Sequence, residues 1–310
     1  MKAIIIEKYG EALVLKEMDR PVATKGQVLV KIIASAVNPL DTKIRAGKAD
    51  HARHPLPAVP GIDMAGIVVE AAEGFKVGDE VYGMTGGAGG NQGSLAEYAA
   101  VDARLLALKP ANLSMREAAA IPLAFITAWE GLVDRAHVQP GKQVLIQGGA
   151  GGVGHIAIQI AKSKGAEVFA TGRVSQKEII ERFGATFVEG GGEYDIIFDT
   201  IGGTVLDESF KLARVYTGHV LSALGWGTHS LAPLSFKGAT YSGVFTLRPL
   251  LTGEGREHHG EIMREATKMA EAGLLKPLLD PRRFTLETVN DAYDVIENKT
   301  GNGKLVVDLL

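Results

Sequence analysis

The sequence predicts an α/β protein in which a β-rich, barrel-like part is joined to a doubly wound parallel sheet. Short apolar runs bounded by glycine and proline fill the first third of the chain, a pattern typical of an irregular β domain. After Pro110, apolar strands alternate with amphipathic segments of helical period, which indicates repeated β-α-β units. A glycine-rich turn separates one of these strands from the helix that follows it, which points to a ligand at that end of the sheet.

Composition narrows the class of function. With 310 residues and 46% hydrophobic content, the chain is long enough for two domains. The net charge of -3 argues against binding to nucleic acid or to an anionic membrane surface. We expect neither a targeting segment nor a membrane-spanning helix, because no apolar stretch is long enough. The absence of cysteine excludes disulfides and thiolate zinc sites, and it favours the reducing cytoplasm.

The first part of the chain contains the candidate strands of the barrel-like domain. Apolar runs predict strands over 28–33 and 66–70, and a turn at 77–79 leads into another strand. The glycine cluster GGAGG at 86–90 follows, and the segment SLAEYAAV after it predicts a further strand. Because this cluster lies between two strands, with no helix N-terminus beside it, we interpret it as a flexible loop rather than an anion site.

The second part alternates strand and helix. Helical segments are predicted over 115–120 and 127–134. A strand over 144–147 precedes a helix over 153–164, whose apolar residues recur at i, i+3, i+4 and i+7 on one face. Repetition of this unit predicts a parallel, doubly wound sheet, and a long helix is expected from about residue 257. The further strands are predicted over 167–170, 186–188, 195–199, 219–223 and 241–245.

A second GGAGG cluster, at 148–152, contains a GxGxxG pattern over 149–154. It follows an apolar strand and opens an amphipathic helix, which is the context that dinucleotide binding requires. We expect Gly149 to allow the tight turn, Gly151 to let the backbone approach a pyrophosphate, and Gly154 to let the helix lie close to the strand. The alternative is a turn that needs glycine only for positive φ. The predicted contacts are Gly149, Gly151, Gly152, Val153 and Gly154.

The residues after the next strand indicate which dinucleotide binds. NAD sites usually place a carboxylate there for the ribose 2′-hydroxyl, whereas this strand ends at Ala170 and runs into Arg173 with no acid. A guanidinium suits a 2′-phosphate, so we predict NADPH. The alternative is a solvated loop in which Ser175, together with Glu178, caps the next helix. The predicted contacts of this loop are Thr171, Gly172, Arg173, Ser175 and Lys177.

Further candidates lie at the carboxyl ends of other strands, where ligands of such sheets bind. Their apolar members would shield the nicotinamide and exclude water. The alternative for each is ordinary loop sequence, and Trp226, just beyond, either walls the substrate pocket or packs on the surface. These candidates are Thr200, Ala223, Leu224 and Phe245.

A series of motifs extends along essentially the whole chain. It comprises SAVNPLDTKIRAG (35–47), PGIDMAGIV (60–68), FKVGDEVYG (75–83), GSLAEYA (93–99), AAAIPLAFITAWEGL (118–132), QGGAGGVGHIAIQIAK (147–162), YDIIFDTIGG (194–203) and the terminal GNGKLVVDL. In this order the motifs resemble the medium-chain dehydrogenase/reductase superfamily, in its zinc-free quinone oxidoreductase branch. The resemblance implies a GroES-like β-barrel catalytic domain of residues 1–118 and 255–310, a Rossmann domain for NADP(H) over 119–254, and commonly a homodimer.

The same resemblance implies that no zinc is bound. Zinc-dependent relatives ligate a catalytic metal through Cys, His and Cys, and the matching positions here are Asn38, Ile62 and Leu123. Asp63 takes the place of the glutamate that follows the metal histidine. The cysteine-rich lobe of a structural zinc is missing as well, in agreement with the absence of cysteine.

Chemistry without a metal favours a conjugated acceptor, which spreads the incoming charge so that neutral hydrogen-bond donors can stabilise it. The resemblance implies that Asn38 lies beside the nicotinamide and substrate, and that Thr127 lies near the nicotinamide. Asp41 is a candidate for proton transfer. The alternatives for Asp41 are a turn or a buried pair with Lys43 or Arg45.

The proton donor stays unassigned. The tyrosine that many enoyl reductases of this superfamily carry in the same segment has no counterpart over 42–59. His51 and His54 lie in this polar segment, and we expect both in solvent. We expect His155 to pack or to lie near the phosphates, and His258 and His259 to lie on the surface.

The prediction is therefore a cytoplasmic, zinc-independent oxidoreductase that transfers hydride from NADPH to a quinone or an α,β-unsaturated carbonyl. A metal-free ketone or alcohol dehydrogenase is the alternative among enzymes. A non-catalytic NADPH-binding protein, like the zeta-crystallin relatives, is the alternative from another class. Beyond a small-molecule substrate and a second copy of the chain, neither nucleic acid nor a membrane is expected as a partner.

Overall fold

A computed structural model describes residues 1–71 and 74–309. They form two compact units, each with its own sheet. No helix in these residues is long and apolar enough to cross a membrane. The first unit comprises Met1–Leu123, Leu247–Gly273 and Pro277–Leu310, and the second comprises Ala124–Thr246 and Leu274–Lys276.

The strands and helices are numbered in chain order. The strands are β1 Lys2–Ile5, β2 Val14–Glu17, β3 Gln27–Val37, β4 Asp63–Glu70, β5 Glu80–Met84, β6 Tyr98–Asp102, β7 Leu106–Leu108, β8 Gln143–Gln147, β9 Glu167–Ala170, β10 Thr186–Phe187, β11 Ile196–Asp199, β12 His219–Ser222, β13 Thr240–Gly243, β14 Phe284–Thr285 and β15 Leu305–Asp308. The α-helices are α1 Pro39–Arg45, α2 Met115–Ala119, α3 Pro122–Trp129, α4 Gly154–Ser163, α5 Lys177–Arg182, α6 Thr204–Leu212, α7 Ala232–Lys237, α8 Arg248–Thr252, α9 Arg256–Glu271 and α10 Val289–Glu297. Short 3-10 turns lie at Asp50–Ala52, Ala103–Leu105, Val174–Gln176 and Leu286–Thr288.

The main sheet of the first unit has the strand order β14-β15-β3-β4-β5-β7, and β6 also pairs with β3. All of its pairings are antiparallel except that of β14 with β15. The predicted strand over 28–33 is confirmed but runs on to Val37, because its small C-terminal residues continue to pair with both β4 and β15. This sheet is the GroES-like part of the predicted α/β fold.

Three strand ends meet at one place in this sheet. Ala36 of β3 pairs with Asp63, the first residue of β4, and the next residue of β3 pairs with Leu305, the first residue of β15. Asn38 follows β3 and Lys304 precedes β15. The register therefore brings these two residues beside Asp63, although 266 positions separate them in sequence.

The sheet of the second unit has the order β10-β9-β8-β11-β12-β13, and every pairing is parallel. Counted from the first strand of the unit, this is the 3-2-1-4-5-6 order of a Rossmann fold. Buried apolar residues such as Leu145, Ile197 and Val220 form its core. The predicted doubly wound parallel sheet is confirmed, and the helix predicted over 153–164 is α4, one residue shorter at each end.

One predicted helix has different bounds in the structure. The helix expected over 127–134 begins earlier, at Pro122, the first residue of α3. Proline suits this position because the N–H that it lacks would have no partner within the helix. After Trp129 the chain continues as a π-helical segment, Glu130–Arg135. In that segment a Cβ on Gly131 would stand 3.1 Å from the ring of Phe198 in β11, so glycine allows a close approach to the sheet.

The interpretation of the first glycine cluster, 86–90, as a flexible loop is wrong. Its first three residues are buried. A Cβ on Gly86 would lie 1.8 Å from the carbonyl oxygen of Gln92, and the backbone N–H of Gly89 donates to the carbonyl oxygen of Ala52 at 2.8 Å. The glycines of this cluster therefore allow backbone segments to pack directly against one another inside the first unit.

Candidate active site

The glycine-rich turn of the second unit joins β8 to α4. The positive φ, +79°, falls on Gly148, one residue before the position predicted for the tight turn, Gly149. A Cβ on Gly149 would lie 2.6 Å from the Cβ of Ala170 in β9, and one on Gly154 would lie 2.1 Å from the carbonyl oxygen of Gly148. Gly149 and Gly154 are thus required for close packing within the turn, while Gly148 supplies its backbone conformation.

The start of α4 is open on its outer side. Gly151 and Gly152 are exposed, and Val153 is half-buried at the N-terminus of the helix. His155 is buried, with Nδ1 2.8 Å from the carbonyl oxygen of Gly151 and its ring 5.3 Å from that of Phe183, so of its two predicted roles the packing role is observed. Backbone N–H groups with no side chain in front of them fit the pyrophosphate of a dinucleotide.

Two threonines hold the turn against the neighbouring strands. The Oγ1 of Thr171 donates to Oε1 of Gln147 at 2.6 Å, and the Oγ1 of Thr200 donates to the carbonyl oxygen of Gln147, also at 2.6 Å. The N–H of Gly149 donates to the carbonyl oxygen of Thr171 at 2.8 Å. The predicted residues Thr171 and Thr200 therefore fix the geometry of the turn from both sides.

The loop after β9 presents a guanidinium to solvent. Within the described residues, the guanidinium of Arg173 has no ion-pair or hydrogen-bond partner. The predicted cap formed by Ser175 and Glu178 is wrong. A 3-10 turn, Val174–Gln176, precedes α5, and the N-cap residue of α5 is Gln176. Oε1 of Gln176 accepts a hydrogen bond from the N–H of Arg173 at 3.0 Å. The other predicted residues of the loop, Gly172, Ser175 and Lys177, are exposed as well.

A cavity of about 410 Å³ opens at the carboxyl ends of β12 and β13. Ala223 and Phe245 line it, together with Trp226, whose indole contacts the Phe245 ring edge to face at 6.2 Å between centroids. Trp226 thus lines a cavity, with 52% of its surface exposed. Leu224 lies beside this lining, and its N–H donates to Oγ of Ser222 at 3.0 Å.

In the first unit, four polar side chains form a buried cluster, hereafter the acid cluster: Asn38, Asp41, Asp63 and Lys304. Nδ2 of Asn38 donates to Oδ2 of Asp63 at 3.0 Å, and Nζ of Lys304 donates to Oδ1 of Asn38. Nζ of Lys304 also lies 3.7 Å from Oδ2 of Asp63. Oδ1 of Asp63 accepts from the N–H of Leu123 at 2.9 Å, and Oδ2 of Asp41 accepts from the N–H of Asn38 at 2.7 Å.

Burial dominates the protonation of the acid cluster. The pKa of Asp41 is raised to about 7, mainly by burial. The nearby charge of Asp63 acts in the same direction, and the N–H of Asn38 opposes the shift. Burial also raises the pKa of Asp63 to about 6, against the opposing charge of Lys304. The pKa of Lys304 is lowered by burial. The cluster therefore titrates near neutral pH, where a general acid or base is most effective.

The structure brings together two of the three predicted catalytic residues, Asn38 and Asp41. The third, Thr127, lies buried in α3 of the second unit. The expected alternative of a pair between Asp41 and a nearby cation is wrong, since Arg45 pairs with Glu297 at 2.5 Å and Lys43 is exposed. The other alternative for Asp41 was a turn at this place. Asp41 does accept the N–H of Asn38, at the start of α1, as such a turn requires.

Sequence reasoning missed Lys304. The usable signal in its motif, GNGKLVVDL, is a single lysine directly before three apolar, strand-forming residues. A lysine is almost never fully buried without a partner, and Lys304 is 6% exposed. A search for the partner of such a lysine leads to the acid cluster.

The histidine predictions are partly wrong. His51 is half-buried, and His54 is only 5% exposed rather than in solvent. The hydroxyl of Tyr9 donates to the carbonyl oxygen of His54 at 2.7 Å and holds this segment against the first unit. His258 is exposed as expected, whereas His259 is buried because it lies on the opposite face of α9.

The residues at the positions matching the zinc ligands do not fit a metal. Oδ1 and Nδ2 of Asn38 are bonded to Lys304 and Asp63, and Ile62 and Leu123 have hydrocarbon side chains. An ammonium in contact with the amide would repel a cation bound there. In the part of the chain that the structure describes, no group of three His, Asp or Glu side chains is placed to hold a metal ion.

The two units together define a class of enzyme. A Rossmann sheet with an open glycine turn is the architecture that binds dinucleotides, and the GroES-like sheet beside the acid cluster contains titratable polar groups of the kind that general acid–base catalysis uses. The protein is an oxidoreductase that uses a nicotinamide cofactor.

The chain belongs to the medium-chain dehydrogenase/reductase superfamily. Residues 24–111 match the family model of the alcohol dehydrogenase GroES-like domain, and residues 176–307 match that of the zinc-binding dehydrogenases. A crystal structure of an alcohol dehydrogenase superfamily protein from Novosphingobium aromaticivorans is 52% identical, with both chains fully covered and a TM-score of 0.98.

Three relatives indicate the branch of the superfamily. The 2-methylene-furan-3-one reductase of Solanum lycopersicum is 37% identical over 99% of this chain and 79% of its own length. The chloroplastic NADPH-dependent alkenal/one oxidoreductase of Arabidopsis thaliana is 36% identical with the same coverage. The quinone oxidoreductase of Sus scrofa is 32% identical over 99% of this chain and 97% of its own length. The second family model names zinc, whereas the described residues contain no group of three His, Asp or Glu side chains placed to hold a metal ion.

The raised pKa of Asp41 makes stability depend on pH. In the unfolded chain this carboxyl ionises with a pKa near 3.8, against about 7 in the folded protein. The folded state therefore binds the proton more tightly, and stability falls as pH rises from about 4 to about 7. We expect Asp41→Asn to remove this part of the pH dependence, which amounts to at most about 1.4 kcal/mol per pH unit.

Urea unfolding of both proteins at several pH values between 4 and 8 measures the difference. The asparagine keeps an oxygen that can accept the N–H of Asn38, so the variant retains the contact at the start of α1. Parallel curves for the wild-type protein and the variant across this range would contradict the raised pKa.

Proposed function

We propose that the protein transfers hydride from NADPH to a quinone or an α,β-unsaturated carbonyl without a metal ion. The observation that carries this proposal is the acid cluster, in which Asn38 occupies a position that matches a zinc ligand and its amide is bonded to Asp63 and Lys304 instead. A simple ketone needs strong polarisation of its carbonyl, which a zinc ion provides and a neutral amide does not. A conjugated acceptor spreads the incoming charge, so hydrogen-bond donors suffice. The names of the enone and quinone reductases among the relatives support the same substrate class.

The choice of NADPH over NADH rests on the loop after β9. Arg173 is exposed and free of internal partners within the described residues, and no acidic residue lies between Ala170 and Lys177. A free guanidinium can bind a 2′-phosphate bidentately, whereas a carboxylate at this place would repel it. Ser175 and Lys177, also exposed, are the proposed additional donors.

The proposed roles of the other residues follow from their placement. When bound, the dinucleotide supplies the hydride. Gly152 and Val153 would bind its pyrophosphate through N–H groups, and Gly151, which lacks a side chain, would let the backbone approach it. Thr200, Ala223, Leu224 and Phe245 would border its nicotinamide half and exclude water. Asn38 would orient the substrate through its remaining amide hydrogen, and Thr127 would position the nicotinamide.

The arrangement of domains and subunits is part of the same proposal. We assign the catalytic domain to residues 1–118 and 255–310 and the NADP(H)-binding domain to 119–254. A homodimer is supported by β13, which is an edge strand of the parallel sheet and pairs only with β12 within the described residues. Near it, Phe236 and Tyr216 are 88% and 84% exposed. Light scattering should give twice the 32.8 kDa chain mass. A reducing cytoplasm is proposed on the absence of cysteine.

Replacing the free guanidinium should remove the preference for NADPH. We expect Arg173→Ala to weaken NADPH binding by roughly 10- to 100-fold, the worth of one or two charge-assisted hydrogen bonds, and to leave NADH binding nearly unchanged. Fluorescence titration of the free enzyme with each dinucleotide measures both affinities. Arg182→Ala is the matched control, because it removes the same charge from the end of α5, where the guanidinium packs on Phe183. An unchanged ratio of the two affinities in Arg173→Ala would overturn the assignment.

A panel of three acceptors separates the candidate functions. We expect NADPH oxidation with 1,4-benzoquinone and with an alkenal, and little with a simple ketone, before and after dialysis against a chelator. Turnover of the ketone at a comparable rate would favour a metal-free alcohol dehydrogenase. Tight binding of NADPH with no oxidation by any acceptor would favour the non-catalytic binding protein. Loss of activity on chelation would contradict the metal-free mechanism.

A further inference from the structure

The acid cluster contains two carboxyl groups and one ammonium, all removed from water. Asp41 is 1% exposed, Asp63 is 0% exposed and Lys304 is 6% exposed. An ionised group in such an environment is strongly disfavoured unless an opposite charge compensates it. One lysine compensates one carboxylate. The second carboxyl is therefore stable in the interior only when it retains a proton.

The hydrogen bonds decide which carboxyl is ionised. Asp63 accepts from the amide of Asn38 at 3.0 Å and from the N–H of Leu123 at 2.9 Å, and the ammonium of Lys304 lies 3.7 Å away. Asp41 accepts from Asn38, whose N–H lies 2.7 Å from Oδ2, and has no ammonium within ion-pair distance among the described residues. Donors to a carboxylate stabilise its charged form, so Asp63 is the ion of the pair.

The other oxygen of Asp41 is the natural position for the proton. Oδ1 is buried and has no hydrogen-bond partner within the described residues. An unpartnered buried oxygen is costly as an anion and much less so as a hydroxyl. The pKa values agree in order, since that of Asp41 is raised to about 7 and that of Asp63 to about 6.

Among the described residues, the other titratable groups near Asp41 do not alter this balance. Tyr293 of α10 faces Asp41, and burial together with the Asp41 charge raises the pKa of its hydroxyl, so it stays neutral. Arg45 of α1 lies over the Tyr293 ring at 5.3 Å and is compensated by Glu297 at 2.5 Å. Lys43, also of α1, is exposed.

We propose that Lys304 holds the acid cluster in a state with a single exchangeable proton on Asp41, and that Asp41 supplies the proton that accompanies the hydride. This inference rests on the proposed function for its second half only. Lys304 is a positioning residue, because it acts through Asp63 and Asn38. Asp41 is the acid that the sequence left unassigned.

The proposed step balances. Reduction of an enone or a quinone adds one hydride and one proton to the acceptor. The hydride arrives from NADPH with its electron pair. The O–H bond of Asp41 breaks, and its proton forms a C–H bond with the α-carbon of an enone or an O–H bond with a quinone oxygen. The resulting carboxylate recovers a proton from water, which restores the single-proton state.

Infrared difference spectroscopy of the free enzyme tests the proton without any turnover. At pH 6 we expect the wild-type spectrum to contain the C=O band of a neutral carboxylic acid that Asp41→Asn lacks. Asp63→Asn should also lack the band, because Asp41 then faces Lys304 alone and ionises. Lys304→Arg keeps the positive charge and should retain the band, so it controls for the packing of the site. A band that persists in Asp41→Asn, or no such band in the wild-type protein, would overturn the assignment of the proton.

The pH profile of kcat tests the role of Lys304. Lys304→Met removes the positive charge that lowers the pKa of Asp41, so the alkaline limb should move to higher pH by about one unit. Asp63→Asn removes the negative charge that raises this pKa, so the limb should move in the opposite direction. Lys304→Arg keeps the charge and should restore a limb close to that of the wild-type enzyme. Asp41→Asn should lower kcat by roughly 100-fold or more.

If the alkaline limb of the kcat profile moves in opposite directions in Lys304→Met and Asp63→Asn, the effect is charge coupling to Asp41. Structural damage would instead lower kcat at every pH without moving this limb. Shifts in the same direction, or no shift, would refute the role of Lys304. If Lys304→Met does not fold, Asp63→Asn and Lys304→Arg still decide the question. If no acceptor oxidises NADPH while the infrared band is present, the proposed function fails and the single-proton state of the cluster stands.

Discussion

The ion pair between Lys304 and Asp63 is the constraint on which the candidate active site depends. It lies where the ends of β3, β4 and β15 meet, and removal of Lys304 would leave the carboxylate of Asp63 buried without an opposite charge, at a cost of about 3–5 kcal/mol. The pair also fixes the amide of Asn38. An ammonium can only donate and a carboxylate can only accept, so the oxygen of Asn38 must face Lys304 and its nitrogen must face Asp63.

Much of the fold could be predicted because it is encoded locally. The helix α4 shows an apolar face in ten residues, and the alternation of strand and helix from β8 to β13 is visible in order along the chain. The first glycine cluster could not be interpreted in this way. A Cβ on Gly86 would meet the carbonyl oxygen of Gln92, and one on Gly89 would meet that of Leu250. No periodic pattern in the sequence predicts these contacts between backbone segments.

The candidate site also has one part that could be predicted from the sequence and one part that could not. The glycine-rich turn is a contiguous motif, so its place between β8 and α4 could be predicted, although the positive φ lies at Gly148 rather than Gly149. The acid cluster joins Asn38 to Lys304 across 266 positions, and only the register of β3 with β15 shows that they meet. Asp63 was recognised by its place in a motif, without its partner. Long-range side-chain pairing of this kind is set by tertiary structure, which a single sequence does not display.

The acid cluster differs from a metal site in its electrostatics, and this difference bears on the substrate. A zinc ion presents a concentrated positive charge to a carbonyl oxygen. Here the ammonium is compensated by Asp63, so the groups around Asn38 carry little net charge and offer hydrogen-bond donors instead. Such a site stabilises a negative charge that is already delocalised, as in an enolate or a hydroquinone anion, better than a localised alkoxide. The same charge balance that leaves Asp41 neutral therefore also favours conjugated acceptors, so the source of the proton and the class of substrate have one physical origin.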